Sequence, residues 1–400
     1  MIDMKKAPTL KITLATLGLF LFAGNLSCAS PRSRVHTTTR SDADPVANNS
    51  SSDGVGNESD SNQNAAFTYY INLVGASAGE IDTEQLPGVV ANRVRLFTAP
   101  HLGLYPKLWR GRRINGGLPQ LADLENHLAR VRRDVVAALP NPDWDGFAVI
   151  DYEAWHLLWE YMPEKYREES RKVVRAQHPN LPETQVEEIA KGQFENAAMR
   201  FLTETLDLCR QLRPKARWGM YGYPQSARAQ RLEREKAFYT HVDALFPSVY
   251  ARKWSVAQGK PKQGQATLSR YKNRIKAVVQ ASRAIAQDRP VLVYTWPRYN
   301  TSNATYGRSL LNDMDLKAML TDPAAAGADG VILWDVIKTH SDSILYQRLF
   351  QDKMLPTIQS ITGSSNGPSA ADQNSTSMDS KLPEKKSSQR RNSRNRRSGG

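Results

Sequence analysis

The sequence predicts an α/β fold, a TIM-like (β/α) barrel of about seven strands, distorted from the regular form. Three observations predict it. Seven short apolar runs alternate with long helical patterns across residues 67–352. Several of these runs are rich in Val, Ile, Leu and Tyr with little alternation, as strands covered on both faces require. Acidic and aromatic residues gather at the ends of the runs, where barrels of this type collect their active groups. An open doubly wound sheet is the alternative.

The strands follow in order. They are Thr68–Val74, Val94–Thr98, Gly146–Tyr152, Arg217–Tyr221, Ala244–Tyr250, Val291–Thr295 and Gly330–Trp334. Helical connections are expected over Leu121–Leu139, Pro163–His178, Glu183–Leu212, Ser226–Thr240, Thr267–Ala286 and Leu310–Pro323. The helix from Glu183 carries the clearest pattern. Val186, Ile189, Ala190, Phe194, Ala197, Phe201, Leu208 and Leu212 recur near helical spacing, and Pro214 stops it.

The flanks read differently. Residues 1–29 form an export signal: Lys5, Lys6 and Lys11, an apolar run from Ile12 to Ala23, then Ser27-Cys28-Ala29. That run is short for a membrane span. In a second reading Cys28 accepts a lipid anchor, although Asn25 stands where such signals usually carry a Leu-like residue. Residues 30–66 are Ser, Asn, Asp, Thr and Gly with few apolar groups, a disordered tether by composition. Residues 353–400 read as a disordered basic tail. The net charge of +14 divides into +6 from this tail and +8 from the rest. Such an excess attracts polyanions, whether nucleic acid, a membrane surface or an acidic polysaccharide.

Two cysteines, Cys28 and Cys209, leave no disulfide framework for the barrel. Cys209 sits in the apolar-periodic helix and reads as a small buried hydrophobe. Zinc-ligand spacing, a phosphate-binding glycine loop and a G-x-S-x-G element are all missing, so no metal or cofactor is called for.

The chemistry centres on Gly146-Phe-Ala-Val-Ile-Asp-Tyr-Glu-Ala-Trp155. Asp151 and Glu153 lie two residues apart at a strand end, so their side chains share a face and point into the barrel mouth. Mutual repulsion and burial among Tyr152, Trp155 and Trp159 favour one retained proton near neutrality, as a general acid needs. The plainer alternative is a helix cap or an arginine-paired couple. Other strand ends add aromatics: Tyr221, Tyr223, Tyr250 and Trp334. An acidic pair in an aromatic mouth suits a carbohydrate, whose C–H faces pack on aromatic rings.

These residues, taken in order, resemble the hyaluronidases of glycoside hydrolase family 56. The resemblance runs through His101-Leu-Gly-Leu-Tyr105-Pro106, Asn115-Gly-Gly-Leu-Pro-Gln120 and Ala148-Val-Ile-Asp-Tyr-Glu-Ala-Trp155. It continues through Gln193-Phe-Glu-Asn-Ala-Ala198, Leu212-Arg-Pro214, Trp218-Gly-Met-Tyr-Gly-Tyr-Pro224 and Phe246-Pro-Ser-Val-Tyr250. It ends with Val291-Leu-Val-Tyr-Thr-Trp-Pro-Arg-Tyr299 and Gly327-Ala-Asp-Gly-Val-Ile-Leu-Trp334. The resemblance implies that Glu153 is the general acid and that Asp151 holds the substrate's N-acetyl group. The acetamido oxygen then attacks the anomeric carbon, an exception to the two-carboxylate retaining scheme. Tyr221 and Tyr250 match tyrosines that position the acetamido group, and Trp334 matches the tryptophan walling that pocket. Tyr105 fits an aromatic groove contact, with Arg298, Tyr299 and Trp296 as further groove candidates. Lys107, Arg110, Arg112 and Arg113 follow Tyr105 and suit glucuronate carboxylates.

The chain departs from the family in places. The animal enzymes read D-W-E-x-W-R, whereas Tyr152 and His156 replace the Trp and the Arg here. Gln225-Ser226-Ala227 stands where a cysteine-bearing stretch is expected. The tethered, tail-bearing layout resembles a bacterial rather than an animal member. The expected function is an exported, secreted or envelope-associated endo-glycosidase cleaving β-linked N-acetylhexosamine bonds. Its expected partner is an acidic N-acetylated polysaccharide, hyaluronan or chondroitin, with no nucleic acid, and with membrane contact only through a lipid on Cys28. Two other readings remain: the same chemistry on another N-acetylated polysaccharide, and a non-catalytic polysaccharide-binding or surface-attachment protein on the same barrel.

Overall fold

The computed structural model describes residues 67–251, 261–300 and 309–362. The expected signal, the tether and Cys28 lie outside the described residues, as does the tail beyond Thr362.

The chain opens with β1 (Thr68–Val74) and β2 (Val94–Thr98). A hairpin, β3 (Lys107–Trp109) and β4 (Arg112–Ile114), precedes α1 (Leu124–Ala138) and β5 (Phe147–Asp151). Then come α2 (Glu164–Gln177), α3 (Glu183–Leu212), β6 (Arg217–Met220), α4 (Ala229–Tyr239) and α5 (Pro261–Ile285). The last elements are β7 (Leu292–Thr295), α6 (Asp313–Ala325), β8 (Gly330–Val336), α7 (His340–Leu349) and α8 (Leu355–Thr362).

Two parallel sheets, β1-β8-β7 and β2-β5-β6, make up most of a barrel wall. The segment 244–249 joins them through parallel bridges Tyr221–Phe246, Leu245–Val291 and Ser248–Tyr294. It was expected as a regular strand, but Pro247 has no N–H to give the ladder, and only isolated bridges form. Seven wall segments result. Among the described residues β1 bridges Val90, ahead of β2, and pairs with no residue of β2 itself, so the barrel is distorted at that seam.

Alternation along each strand divides the core in two. Val149, Ala244, Phe246, Leu292, Tyr294 and Ile332 fill the barrel interior. Residues of opposite parity, such as Ala148, Ile150, Trp218, Val293 and Leu333, pack outward in the larger cluster that also holds the helix faces. Gly219 is required at the β6 crossing. A Cβ there would meet the Ala244 carbonyl oxygen at 2.3 Å and the Phe246 ring at 2.8 Å.

The helices form the outer layer. Asp123 caps α1 by accepting from the Asn126 N–H at 2.9 Å. Helix α3 begins after Pro182 and spans 30 residues, about 45 Å, burying Phe194, Phe201 and Cys209. At the C-terminal end the helical chain continues past residue 352, where the tail was expected to start. A π-helical turn (Phe350–Met354) leads into α8, and Phe350, Met354 and Ile358 are buried. Their apolar side chains belong to the barrel's outer core.

Candidate active site

The parity that fills the barrel also aims the site. Phe147 and Val149 of β5 face inward, so Asp151 faces inward at its C-terminal end, and Glu153 follows two residues on. By the same count Tyr221, Tyr250, Trp296 and Trp334 emerge on the inner face. All of them, with Asp151 and Glu153, line one cavity of about 880 Å³.

The segment after β5 is clamped from outside. Tyr152 turns away from the cavity, its ring stacked on Tyr105 (centroids 4.2 Å apart) and its hydroxyl donating to the Leu102 carbonyl at 2.6 Å. The Trp155 indole donates to the Pro106 carbonyl at 2.7 Å, and its backbone N–H donates to the Tyr105 hydroxyl at 3.3 Å. Trp159 donates to Glu195 from its backbone and to Glu187 from its indole. These bonds leave Glu153 little choice of face.

The aromatic wall is a connected set. Tyr250 and Trp334 stack with centroids 5.9 Å apart and an 18° interplanar angle. Trp296 packs edge-on against Trp334 at 5.3 Å, and Tyr221 lies 6.2 Å from Tyr250. The Tyr221 hydroxyl donates to Ser248 Oγ at 3.2 Å. Tyr294 packs edge-on to Tyr221, and its hydroxyl accepts from Asn72 Nδ2 at 3.0 Å. Neither Tyr294 nor Asn72 was singled out from the sequence, although both have the inward parity of Leu292 and Tyr70. The same alternation could have found them.

Asp151 is half-buried and Glu153 is exposed to the cavities, yet the walls around them strip both carboxyls of part of their water. Desolvation, and then the Glu153 charge, push the Asp151 carboxyl up to about 7, and desolvation raises Glu153 as well. Near neutrality the pair therefore holds a proton. Asp151 Oδ1 is buried with no hydrogen-bond partner among the described groups. Burial pushes Tyr221 up to about 12 and Tyr250 higher, so both remain neutral hydrogen-bond donors.

Three groove candidates stand off the aromatic wall. Tyr105 is only 2% exposed, sandwiched between Tyr152 and Trp155 beneath the acid's segment, and it borders a smaller cavity that also reaches Asp151 and Glu153. Tyr299 is buried, its hydroxyl donating to Asp315 Oδ2 at 2.5 Å. Arg298 Nε is bound to both carboxylate oxygens of buried Asp335, which also accepts from the Trp296 indole at 2.8 Å. Arg298 thus steadies Trp296. Nothing in the sequence marks which face an aromatic beyond a strand end will take.

His156 has a structured neighbourhood of its own. Its ring is largely buried, with Gln225 and Arg231 beside it, and burial followed by the Arg231 charge lowers its pKa. Arg231 is buried against Glu235 at 2.8 Å and lies over the Tyr161 ring at 4.0 Å. The two departures from the family pattern, at 156 and 225, therefore meet.

Comparison with known proteins agrees with this architecture. The model of the hyaluronidase family matches residues 74–366. The chain belongs to the hyaluronidase family. Human hyaluronidase-1 is 36% identical over 274 residues, covering 62% of this chain and 61% of the relative. The honeybee (Apis mellifera) hyaluronidase is 29% identical over 274 residues, covering 63% and 69%. The chain thus spans about three fifths of the length of the mammalian hyaluronidases it matches. The crystal structure of bee venom hyaluronidase superposes with a TM-score of 0.62 at 27% identity, covering 73% of this chain and 99% of that one. A second structure, of bee venom hyaluronidase with a hyaluronic acid tetramer, gives a TM-score of 0.65 at 24% identity, covering 74% and 99%. The TIM-like barrel expected from the sequence is the fold of these hyaluronidases.

Proposed function

We propose that this chain is an endo-acting glycoside hydrolase that cleaves β-linked N-acetylhexosamine bonds in hyaluronan or a chondroitin-like polysaccharide. The observation that carries the reading is one cavity holding Asp151 and Glu153 beside the Tyr221–Tyr250–Trp334 wall. The two carboxyls stand on one strand end, so they approach a bound sugar from one side. An acid and a nucleophile that straddle a glycosidic bond require opposite sides. Substrate assistance fits this placement.

In this mechanism Trp334 and Tyr250 form an apolar wall against the acetamido methyl, and Tyr221 turns its hydroxyl proton from Ser248 Oγ to the acetamido oxygen. Asp151 accepts the amide N–H on its buried, unpartnered oxygen and stabilises the positive charge that develops as the acetamido oxygen closes on the anomeric carbon. Glu153 gives its proton to the leaving oxygen, then takes one from the water that opens the cyclic intermediate. The configuration at the anomeric carbon is retained. Family membership and the hyaluronidase relatives support the substrate class. The basic excess of the sequence favours an acidic polymer. The export-signal pattern of residues 1–29 supports an activity outside the cytoplasm.

The test is a substrate panel of hyaluronan, chondroitin and chitin oligosaccharides, with the anomeric configuration of the first product followed by NMR. Cleavage of a uronate-containing polymer with a β-configured first product is expected. An α-configured product would rule out substrate assistance. Binding without cleavage would favour a polysaccharide-binding role.

A further inference from the structure

The β3–β4 hairpin holds Trp109 in water. At 52% exposure, none of the described large apolar side chains is more exposed. A single exposed apolar side chain is ordinary on a protein surface, but this one borders a cavity that reaches the carboxyl pair.

The hairpin is rigidly built. Arg110 and Gly111 both take positive φ (48° and 74°), the two-residue turn that matches the strand twist. Trp109 pairs with Arg112 across it. The Leu108 N–H donates to the Tyr166 hydroxyl at 3.1 Å, and Arg113 pairs with Glu169, so α2 holds the hairpin from behind. Pro106, just before β3, accepts from the Trp155 indole. The hairpin and the acid-bearing segment are therefore one rigid piece.

Cations surround the ring. Lys107 Nζ lies 5.4 Å and Arg110 Cζ 5.5 Å from the Trp109 centroid. A cavity of about 390 Å³ runs from Trp109 and Lys107, past Lys165, to Asp151 and Glu153. The larger cavity with the aromatic wall reaches the same two carboxyls. The catalytic pair thus stands where two cavities meet, with the acetamido wall on one side and the hairpin on the other.

The geometry points to a second sugar subsite on this hairpin, in which Trp109 stacks the leaving sugar while Lys107 and Lys165 hold its carboxylate. The inference rests on the substrate reading above and deepens it. With the N-acetylhexosamine against the aromatic wall, the sugar beyond the scissile oxygen must enter the other cavity. In a polymer that alternates N-acetylhexosamine with uronic acid, that sugar is a uronate. An aromatic plate flanked by ammonium groups has the chemistry to recognise it.

The test uses the full chain carrying Glu153→Gln, titrated calorimetrically with a hyaluronan hexasaccharide. Adding Trp109→Ala is expected to weaken binding about tenfold, and Trp109→Phe to stay within about threefold. Adding Lys107→Ala is expected to reduce the salt dependence of binding. In the active chain Trp109→Ala raises KM for hyaluronan and leaves kcat within about threefold, because a subsite contact made equally in the ground and transition states moves KM alone. Binding and KM unchanged in Trp109→Ala overturn the subsite while leaving the substrate reading intact. A wild type that cleaves no hyaluronan, with a Glu153→Gln form that binds none, overturns both.

Discussion

The Tyr152 hydroxyl donates to the Leu102 carbonyl at 2.6 Å, and that bond fixes the face on which Glu153 emerges. Tyr152 is 4% exposed and stacked on Tyr105, so its neighbours in the chain must point the other way. Tyr152→Phe keeps the ring and removes the donor, leaving a buried carbonyl unsatisfied. A loss of about 1–2 kcal/mol in urea unfolding is expected. An unchanged urea midpoint would show that the bond does not hold the segment.

The carboxyl pair sets the alkaline side of the pH profile. Asp151 is raised to about 7 by burial and then by the Glu153 charge, and Glu153 is itself raised, so the last proton of the coupled pair, the one Glu153 delivers, is held below about pH 7 and lost as pH rises through it. kcat/KM should fall above about pH 7. Removing the neighbouring charge with Glu153→Gln should bring the Asp151 carboxyl below about 7, as followed by carboxyl NMR titration. An Asp151 titration that stays in place contradicts the coupling.

His127 makes the fold acid-sensitive. It is fully buried, with Nδ1 accepting from the Leu104 N–H at 2.8 Å and Nε2 facing Thr205 Oγ1 at 2.9 Å. Thr205 gives its own proton to the Phe201 carbonyl, which leaves its oxygen to accept from Nε2. Burial lowers the His127 pKa from 6.5 to about 4. The folded pKa lies below the unfolded one, so the unfolded chain binds more protons between those values. The stability contribution is complete above pH 6.5 and is lost as pH falls towards 4. From pH 7 to 4.5 this group should cost roughly 2 kcal/mol. His127→Gln should flatten that part of the pH dependence in chemical unfolding, and an identical slope would exclude His127 as its source.

The buried Arg231–Glu235 pair should respond unequally to single and double substitution. Glu235 is fully buried and also accepts from the Tyr239 hydroxyl at 2.8 Å. Desolvation outweighs Arg231 and keeps the Glu235 carboxyl above its ordinary range. Arg231→Met alone should cost about 3 kcal/mol, because it leaves that carboxyl buried without its cation. Arg231→Met with Glu235→Leu should recover most of the loss. Equal Tm values for the single and double variants would remove the pair from the stability account.

Much of the fold was legible because the strands are continuous apolar runs between helical patterns. β1 and β2 fall where the sequence places them, and α3 does so over its full length. The segment at Pro247 was not legible as a set of bridges, since an imino acid inside an apolar run does not announce which bonds it breaks. The hairpin at Lys107–Ile114 was hidden by its turn: Arg110 takes positive φ without the Asn-Gly signature. In the site, Asp151, Glu153, Tyr221, Tyr250 and Trp334 come together because one inward parity governs all of them. Tyr299 went to the core instead, and Tyr105 is largely buried where it borders the smaller cavity. Both lie beyond strand ends, where period-two alternation no longer predicts direction, and the tertiary partners Tyr152 and Asp315 decide it. The helical continuation into α8 was missed because Ser360 and the residues after it dominate the local composition, whereas the buried Ile358 lies just before them.

The most direct test of the central claim is hyaluronan depolymerisation by the wild-type chain and by Glu153→Gln, with polymer binding measured on both. A fall in kcat of roughly 100- to 10,000-fold with binding retained is the expected result, since the substitution removes the proton donor and little else. Depolymerisation at the wild-type rate by Glu153→Gln would contradict the account.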